Sequence, residues 1–235
     1  MSIPIFYNAA INSKQKTVLL DENTSRHIVQ VLRMKTGSGL HLTDGGGNLF
    51  SCQISMIHKK HCEVEVVEIK LVNKKTQKVS IAISLLKNTN RFEWFLEKAT
   101  EIGVSEIIPL ICDRTEVQKF RYERMKTICI SAMLQSQQYY LPVLREPTKF
   151  NSLIVEKFDN CQKLIAYCSE TEKQRLSQQQ ISKSSNQIIL IGPEGDFSKN
   201  EIELAIQNKF IPVSLGENRL RTETAAVVAA TLLCI

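Results

Sequence analysis

The amino-acid sequence predicts an α/β fold with a parallel sheet, preceded by a small β-barrel. Two observations lead to this prediction. Over residues 3–70 short strand-like runs follow one another, and from Cys62 to Ile69 apolar and polar residues alternate, which is typical of half-buried strands. After residue 78, apolar strand-like runs alternate with helical segments, as expected for a parallel sheet covered by helices.

The N-terminal part is predicted to contain short strands and one helix. The turn at residues 44–47, DGGG, supplies the glycines that a hairpin needs for positive φ angles. A helix is expected over DENTSRHIVQVLRMKTG, ending at Gly37. The polar, basic residues 71–78 indicate a linker, so we expect a barrel domain over residues 1–72 and an α/β domain over residues 73–235. The predicted strands are IPIFY, TVLL, GLHLT, LFSCQISMI and HCEVEVVEI.

The C-terminal part is predicted to alternate strands and helices. Asn90 with Glu93, and Ser198 with Glu201, have the spacing of a capping box, and Thr222 is expected to cap the last helix. That helix is apolar on nearly every side but too short to span a bilayer, so we expect it to be buried within the protein or against a second subunit. The polar stretch SETEKQRLSQQQISKSSNQ predicts a surface helix or loop. The strands are expected in VSIAISLL, SEIIPLI, QKLIAYC, QIILIG and FIPVSL, and the helices in NRFEWFLEKATEIG, KFRYERMKTICISAMLQS, SKNEIELAIQNK and TETAAVVAATLLCI.

The composition of the chain excludes several classes of protein. Its 235 residues are 43% hydrophobic and 23% charged, which suits a folded core and not a disordered tail. With no apolar run of about 18 residues and no signal-like N-terminus, we expect a soluble, cytoplasmic protein. The seven cysteines form no CxxC pair, so neither a disulfide framework nor a metal site is expected. The net charge of +6 is compatible with a polyanionic partner without establishing one.

Two loops, each at the carboxyl end of a predicted strand, form the candidate ligand site. They are IGPEGDF, residues 191–197, and LGENRLR, residues 215–221. Ligands of open α/β sheets bind at such strand ends. The absence of GxxxxGK and GxGxxG runs disfavours triphosphate and dinucleotide binding. Taken alone, IGPEG fits a plain turn as well as a ligand loop, and Glu194 is either a ligand to a hydroxyl or amine or a solvated turn residue.

The second loop places Arg219 and Arg221 just before a predicted helix. A cation at a helix N-terminus costs a few tenths to about 1 kcal/mol. Solvent exposure compensates for this cost in one interpretation, and an anionic ligand does so in the other.

Four stretches together resemble a known family: GPEG, LG…LRTETA, FEWFLEKATEIGVSEIIPL and HIVQVLRMKTG. Along its whole length the chain resembles the bacterial 16S ribosomal RNA (uracil-N3)-methyltransferases, the RsmE type of the SPOUT superfamily. The resemblance implies a PUA-like β-barrel and a SPOUT α/β domain with a C-terminal deep trefoil knot. It also implies S-adenosylmethionine as cofactor, bound in the knot, a homodimer, and 16S rRNA as partner, within the small ribosomal subunit.

The resemblance also assigns candidate site residues. Arg221 matches the arginine before the last helix; we expect it to stabilise the anionic uracil, or alternatively to clamp a phosphate. Glu101 is the candidate base. RNA contacts are expected from Arg91 and Lys98 at matching positions, and also from Arg219. Arg33, at a matching position, and Arg26 with His27 are expected to contact rRNA phosphates, and a solvated face is the alternative for all three. The cofactor loops are expected to use Ile191, Gly192, Pro193, Gly195, Leu215, Gly216 and Leu220, together with Glu194.

The chain departs from the family pattern at a few positions. Asp196 follows GPEG where glycine is frequent, and Asn218 and Arg219 stand where arginine and an aliphatic residue are usual. Leu134 and Gln138 replace the expected Glu and Arg. Two other functions stay open at this point: a non-catalytic, dimeric RNA-binding scaffold, and a SPOUT methyltransferase that acts on another RNA.

Overall fold

The chain folds into two compact units. The N-terminal unit comprises residues 1–74 and 133–141, and the C-terminal unit comprises residues 75–132 and 142–235. A computed structural model describes residues 3–58, 61–73, 76–117, 119–168, 174–178 and 186–235.

The N-terminal unit contains one five-stranded sheet, in the order β1-β3-β4-β5-β2. The pair β1 and β3 is parallel, and the other neighbours are antiparallel. Fully buried side chains such as Phe50, Leu42 and Val64 form its core. All five predicted strands are confirmed: β1 is Ile5–Tyr7, β2 Thr17–Leu19, β3 Gly39–Thr43, β4 Asn48–Ile57 and β5 Cys62–Leu71.

The glycine-rich turn between β3 and β4 has the predicted backbone. Gly45 and Gly47 have φ angles of 73° and 99°. The turn also accommodates a distant segment of the same unit: the Tyr140 hydroxyl donates to the carbonyl of Val72 at 2.7 Å, and a Cβ atom on Gly47 would lie 2.2 Å from the Tyr140 ring. Gly47 is therefore required by close packing as well as by its φ angle.

The predicted helix of the N-terminal unit is shorter than expected. Helix α1, Glu22–Arg26, continues as a π-helical turn over His27–Val31. The extension to Gly37 was wrong, because Arg33 takes a φ of 53° and ends the helix. Before this point the Leu32 N–H already donates to the carbonyl of His27, five residues back, at 3.0 Å, which is the pattern of a π-turn.

The C-terminal unit contains one parallel sheet, in the order β11-β13-β10-β12-β6-β7-β8, with β9 beside β7. The five predicted strands are confirmed, and three two-residue strands, β8, β9 and β11, were not predicted. The strands are β6 Val79–Ser84, β7 Glu106–Ile111, β8 Val143–Leu144, β9 Thr148–Lys149, β10 Cys161–Ala166, β11 Gln174–Arg175, β12 Asn186–Ile191 and β13 Ile211–Ser214.

Helices of the C-terminal unit begin at caps that the sequence predicted in part. At α5 the capping box is confirmed: the Ser198 N–H donates to Glu201 at 2.8 Å, and the Glu201 N–H donates to the Ser198 hydroxyl at 3.3 Å. At α2 the prediction was wrong, because Asn88 is the cap and accepts from the N–H of Asn90 at 3.0 Å. The helices are α2 Thr89–Ile102, α3 Tyr122–Gln135, α4 Phe150–Ile154, α5 Lys199–Gln207 and α6 Thr222–Cys234; residues 133–135 of α3 belong to the N-terminal unit.

Helix α6 packs against α2, β6 and β12 through buried small residues such as Ala226 and Ala229. Its predicted cap was wrong: Arg221 occupies the cap position with no side-chain hydrogen bond, while Thr222 is already helical and buried. None of the described helices is long and apolar enough to cross a membrane.

The polar stretch after β10 lies partly outside the described residues, namely at 169–173 and 179–185. Its described part differs from the predicted surface helix or loop. Gln174–Arg175 pair with β13, and a 3-10 turn over Leu176–Gln178 follows, with Leu176 fully buried.

Candidate active site

A cavity of about 820 Å³ opens at the carboxyl edge of the parallel sheet in the C-terminal unit. It forms there because the central strands β10, β12 and β13 all end at this edge, the last pairs being Ala166 with Ile191 and Ala166 with Val213. Its volume lies within the range of about 300–1,000 Å³ that is typical of small-ligand sites. The residues after the three strands line it, together with Arg91 of α2 and Ala225 of α6.

Both loops expected from the sequence lie at this cavity. Of the predicted cofactor-loop residues, Gly195 alone is absent from the lining. Its carbonyl accepts a hydrogen bond from the Arg114 guanidinium at 2.6 Å, and a Cβ atom would meet the Arg114 side chain at 3.4 Å. The predicted residues that do line the cavity are Ile191, Gly192, Pro193, Glu194, Leu215, Gly216 and Leu220.

Gly192 and Gly216 are required in the two loops for different physical reasons. A Cβ atom on Gly192 would lie 3.1 Å from the ring of Phe197, which is buried against Phe150. Gly192 therefore allows the protein's own core to close, in addition to the close ligand approach that the sequence suggested. Gly216 has a φ of 146° and open space at its Cβ position, so its backbone angle is what requires glycine.

The side chain of Glu194 also lines the cavity. One of its carboxylate oxygens accepts a hydrogen bond from the backbone N–H of Lys87, after β6, at 3.3 Å. Glu194 thus connects the loop after β12 with the loop after the adjacent strand.

Arg219 and Arg221 both line the cavity and are exposed. Within the described part of the chain, neither guanidinium has a carboxylate or hydrogen-bond partner. Arg221 is the N-cap of α6, so its charge adds to the partial positive charge of the helix terminus. The two cations are therefore available to an anionic group in the cavity.

A third arginine at the cavity is paired. The Nε atom of Arg91 lies 3.6 Å from a carboxylate oxygen of Glu223, whose side chain is 8% exposed. The other oxygen of Glu223 is buried without a hydrogen-bond partner among the described residues. Arg91 thus compensates part of the charge that the buried carboxylate brings to the start of α6.

Other predicted residues lie elsewhere. Lys98 lies 3.1 Å from Glu101 on α2, and neither residue lines the cavity. The hydrogen bonds that the Lys98 ammonium donates to Glu97 and Glu101 raise its pKa. Arg26 and Arg33 belong to the N-terminal unit, where Arg26 pairs with Glu22 at 3.3 Å.

The lining residues that the sequence did not name as ligand contacts include Tyr167, Cys168 and Asp196. The first two directly follow β10, which lies between β12 and β13 in the sheet. Had the strand order been known, the strand-end rule would have found them. Within the described ranges, no group of three or more His, Cys, Asp or Glu side chains could hold a metal ion.

The parallel sheet and the cavity at its carboxyl edge define an α/β domain with a small-ligand site at its strand ends, at which the guanidinium groups of Arg219 and Arg221 lack carboxylate partners among the described residues. Comparison with known proteins identifies the family. Residues 73–234 match the RNA methyltransferase domain, and residues 20–67 match the RNA methyltransferase PUA domain. The chain belongs to this RNA methyltransferase family, and its N-terminal unit contains a PUA-like domain.

Individual relatives are similar over nearly the whole chain. The ribosomal RNA small subunit methyltransferase E of Rickettsia conorii is 30% identical over 229 residues, which cover 96% of this chain and 92% of the relative. A probable rRNA-methyltransferase from Porphyromonas gingivalis has 37% identity and a TM-score of 0.90, covering 97% of this chain and 95% of that chain. A ribosomal RNA small subunit methyltransferase E from Neisseria gonorrhoeae bound to S-adenosyl methionine has 28% identity and a TM-score of 0.86, with the same coverage.

Proposed function

We propose that the protein is an S-adenosylmethionine-dependent methyltransferase that modifies N3 of a specific uridine in 16S rRNA. The observation that carries the proposal is the strand-end cavity, in which the two predicted loops and the unpaired Arg221 meet. The names of the Rickettsia and Neisseria relatives support a small-subunit rRNA substrate, and the bound ligand of the Neisseria structure supports the cofactor.

The residues of the cavity fit the proposed cofactor. Apolar side chains, Leu215 and Leu220, stand beside the backbone groups of both loops, a combination that suits a ligand with an aromatic base and polar ends. We assign the adenosyl-binding role to these loops, from Ile191 to Gly195 and from Leu215 to Leu220. S-adenosylmethionine supplies the electrophilic methyl group when bound.

Arg221 is our candidate catalytic residue. N3 of uracil holds a proton and becomes nucleophilic only when it loses it, which leaves negative charge on the ring. An unpaired guanidinium at the N-terminus of α6 would stabilise that charge. The alternative role, a bidentate clamp on a phosphate, uses the same cation. Glu101 pairs with Lys98 outside the cavity of its own chain, so it serves as the base only if a second subunit presents it.

We further propose a homodimer. Trp94 on α2 is 43% exposed and Ile235, after α6, is 92% exposed, while Val227, Val228 and Leu232 of α6 are only partly buried. These apolar surfaces on two neighbouring helices suit a self-complementary contact. For the C-terminal part we propose the deep trefoil knot, a topology consistent with β10 lying between the later strands β12 and β13.

The remaining assignments concern RNA and location. We propose that residues 1–72 form an RNA-binding, PUA-like β-barrel and that residues 73–235 form the methyltransferase domain. Cationic side chains of both are assigned to rRNA phosphates within the small ribosomal subunit, and the protein is placed in the cytoplasm. These side chains are Arg26, Arg33, Arg91, Lys98 and Arg219.

The role of Arg221 is tested by transfer of a labelled methyl group from S-adenosylmethionine to small ribosomal subunits. We expect Arg221→Ala to lower kcat by about 100-fold or more, as for loss of a donor to a developing anion. Arg221→Lys should recover only part of the rate, because it keeps the charge without the planar fork. Arg219→Ala is the matched control and should act mainly on the affinity for RNA. Normal rates for both Arg221 variants would refute the assigned role.

A further inference from the structure

We propose that Asp196 is a positioning residue of the cofactor cavity. Its carboxylate joins the loop after β12 to Cys168, two residues after β10, and so fixes one wall of the site. The inference rests on the proposed function, because it takes this cavity to be the S-adenosylmethionine site. It adds a residue that contacts no reacting atom but determines the shape of the cavity.

The backbone of Asp196 has an unusual conformation. Its φ angle is 62°, in the left-handed region that few residues other than glycine adopt and that Asp and Asn tolerate best. Its N–H donates to the carbonyl of Pro193 at 2.9 Å, which closes the turn that follows β12. Glycine would make the same turn without strain; the aspartate adds a side chain at this point.

That side chain accepts two backbone hydrogen bonds, one on each side. Oδ2 accepts from the N–H of Cys168, 28 residues earlier in the chain, at 2.7 Å. Oδ1 accepts from the N–H of Phe197 at 2.8 Å. Phe197 is 3% exposed, and the centroid of its ring lies 5.5 Å from that of Phe150. One oxygen is thus fixed to a residue of the hydrophobic core, while the other holds Cys168, just after β10. Hydrogen bonds to an ionised acceptor are the stronger kind.

The hydrogen bond between Cys168 and Asp196 lies at the cavity, and this position gives it a function. The ladder between β10 and β12 ends at the pair Ala166 and Ile191, so Tyr167 and Cys168 lie beyond it. Both residues line the cavity, as does Asp196 itself. The carboxylate therefore restrains both backbone segments, after β10 and after β12, just beyond the last paired residues of the two strands. A wall that is ordered before binding costs the ligand less conformational entropy, which increases affinity.

The test compares substitutions at Asp196 by calorimetry with S-adenosylmethionine. Asp196→Gly removes the carboxylate without backbone strain, and we expect a Kd about tenfold higher, as for the loss of one hydrogen bond to a charged group. Asp196→Asn tolerates the same φ but has one acceptor oxygen for the two N–H donors, so its Kd should lie between those of the wild type and Asp196→Gly. Lys209→Gly is the matched control, because Lys209 also has a left-handed φ, of 66°, but does not line the cavity.

Two further readouts separate positioning from general destabilisation. In the ligand-free protein, amide hydrogen exchange of the peptide containing Cys168 should be faster in Asp196→Gly and unchanged in Lys209→Gly. In methyl transfer, the KM for S-adenosylmethionine should rise while kcat at saturation stays close to the wild-type value. Unchanged exchange and unchanged affinity in Asp196→Gly would overturn the inference. A wild-type protein that fails to bind S-adenosylmethionine would overturn the proposed function instead, and the exchange measurement would still decide whether the carboxylate holds the loop.

Discussion

Glu201 links the start of α5 to the end of β7, and its removal should destabilise the C-terminal unit. Its side chain is buried, with 2% of the residue exposed. One carboxylate oxygen accepts from the N–H of Asp113 at 2.9 Å, and the other accepts from the N–H of Ser198 at 2.8 Å. Each hydrogen bond to a charged group contributes about 1.5–3 kcal/mol. Because both donors are partly accessible to water, we take the lower limit for each and expect Glu201→Ala to cost about 3 kcal/mol.

Urea denaturation, monitored by tryptophan fluorescence, reports the loss of stability of the C-terminal unit. Trp94 is the single tryptophan and lies in α2 of that unit. With an m-value of about 2 kcal/mol per molar urea, the midpoint should fall by about 1.5 M. Glu203→Ala is the control: the residue lies on the same helix but is exposed, so its midpoint should hardly change. The reasoning is refuted if the two variants unfold at the same urea concentration.

Other predictions concern packing, charge and access to the cavity. Gly47→Ala should destabilise the N-terminal unit by about 2 kcal/mol or more in thermal unfolding, because the new methyl group would meet the Tyr140 ring at 2.2 Å. Arg124 holds the pKa of Glu93 below its ordinary value of 4.5, so Arg124→Gln should lower the stability slightly at neutral pH. That difference should vanish as the pH falls through the lowered pKa of Glu93. Cys168 is exposed at the cavity, so S-adenosylmethionine should slow its labelling by a thiol reagent.

These predictions have controls within the chain. Gly37 also has a positive φ, of 88°, but no atom within 4 Å of its Cβ position, so Gly37→Ala should cost only the backbone strain, about 1 kcal/mol. If it destabilises as much as Gly47→Ala, close packing is not the cause. Burial raises the pKa of the Cys52 and Cys129 thiols to about 11, so both should label slowly with or without ligand. A cost of Arg124→Gln that is constant with pH would contradict the ion pair.

The sequence predicted the elements whose signals are local. Strands with several apolar residues in a row were found, and so was the capping box at Ser198 and Glu201. The box at Asn90 and Glu93 was wrong because Asn88 caps the helix instead, and local spacing cannot choose between two asparagines so close together. The partner of Glu93 is Arg124, 31 residues later, which no local pattern indicates.

The sequence predicted part of the cavity lining, but not the part that depends on the order of the strands in the sheet. The rule that ligands bind at strand ends predicted the loops after β12 and β13 as the ligand site, and both loops line the cavity. Tyr167 and Cys168 could not be assigned, because nothing in the sequence shows that β10 lies between those two strands. Thr222 was chosen as a cap from its residue type, yet it is buried and Arg221 precedes the helix. The cation therefore stands directly at the helix terminus.

The most direct test of the central claim is a map of methylated uridines in rRNA from cells with and without the gene. We predict that one N3-methyluridine of 16S rRNA disappears when the gene is deleted, that the wild-type gene restores it, and that Arg221→Ala restores little of it. A modification lost from another RNA instead would indicate a methyltransferase with a different substrate. An unchanged pattern in every RNA, together with no binding of S-adenosylmethionine, would contradict the enzymatic function and favour a non-catalytic RNA-binding protein.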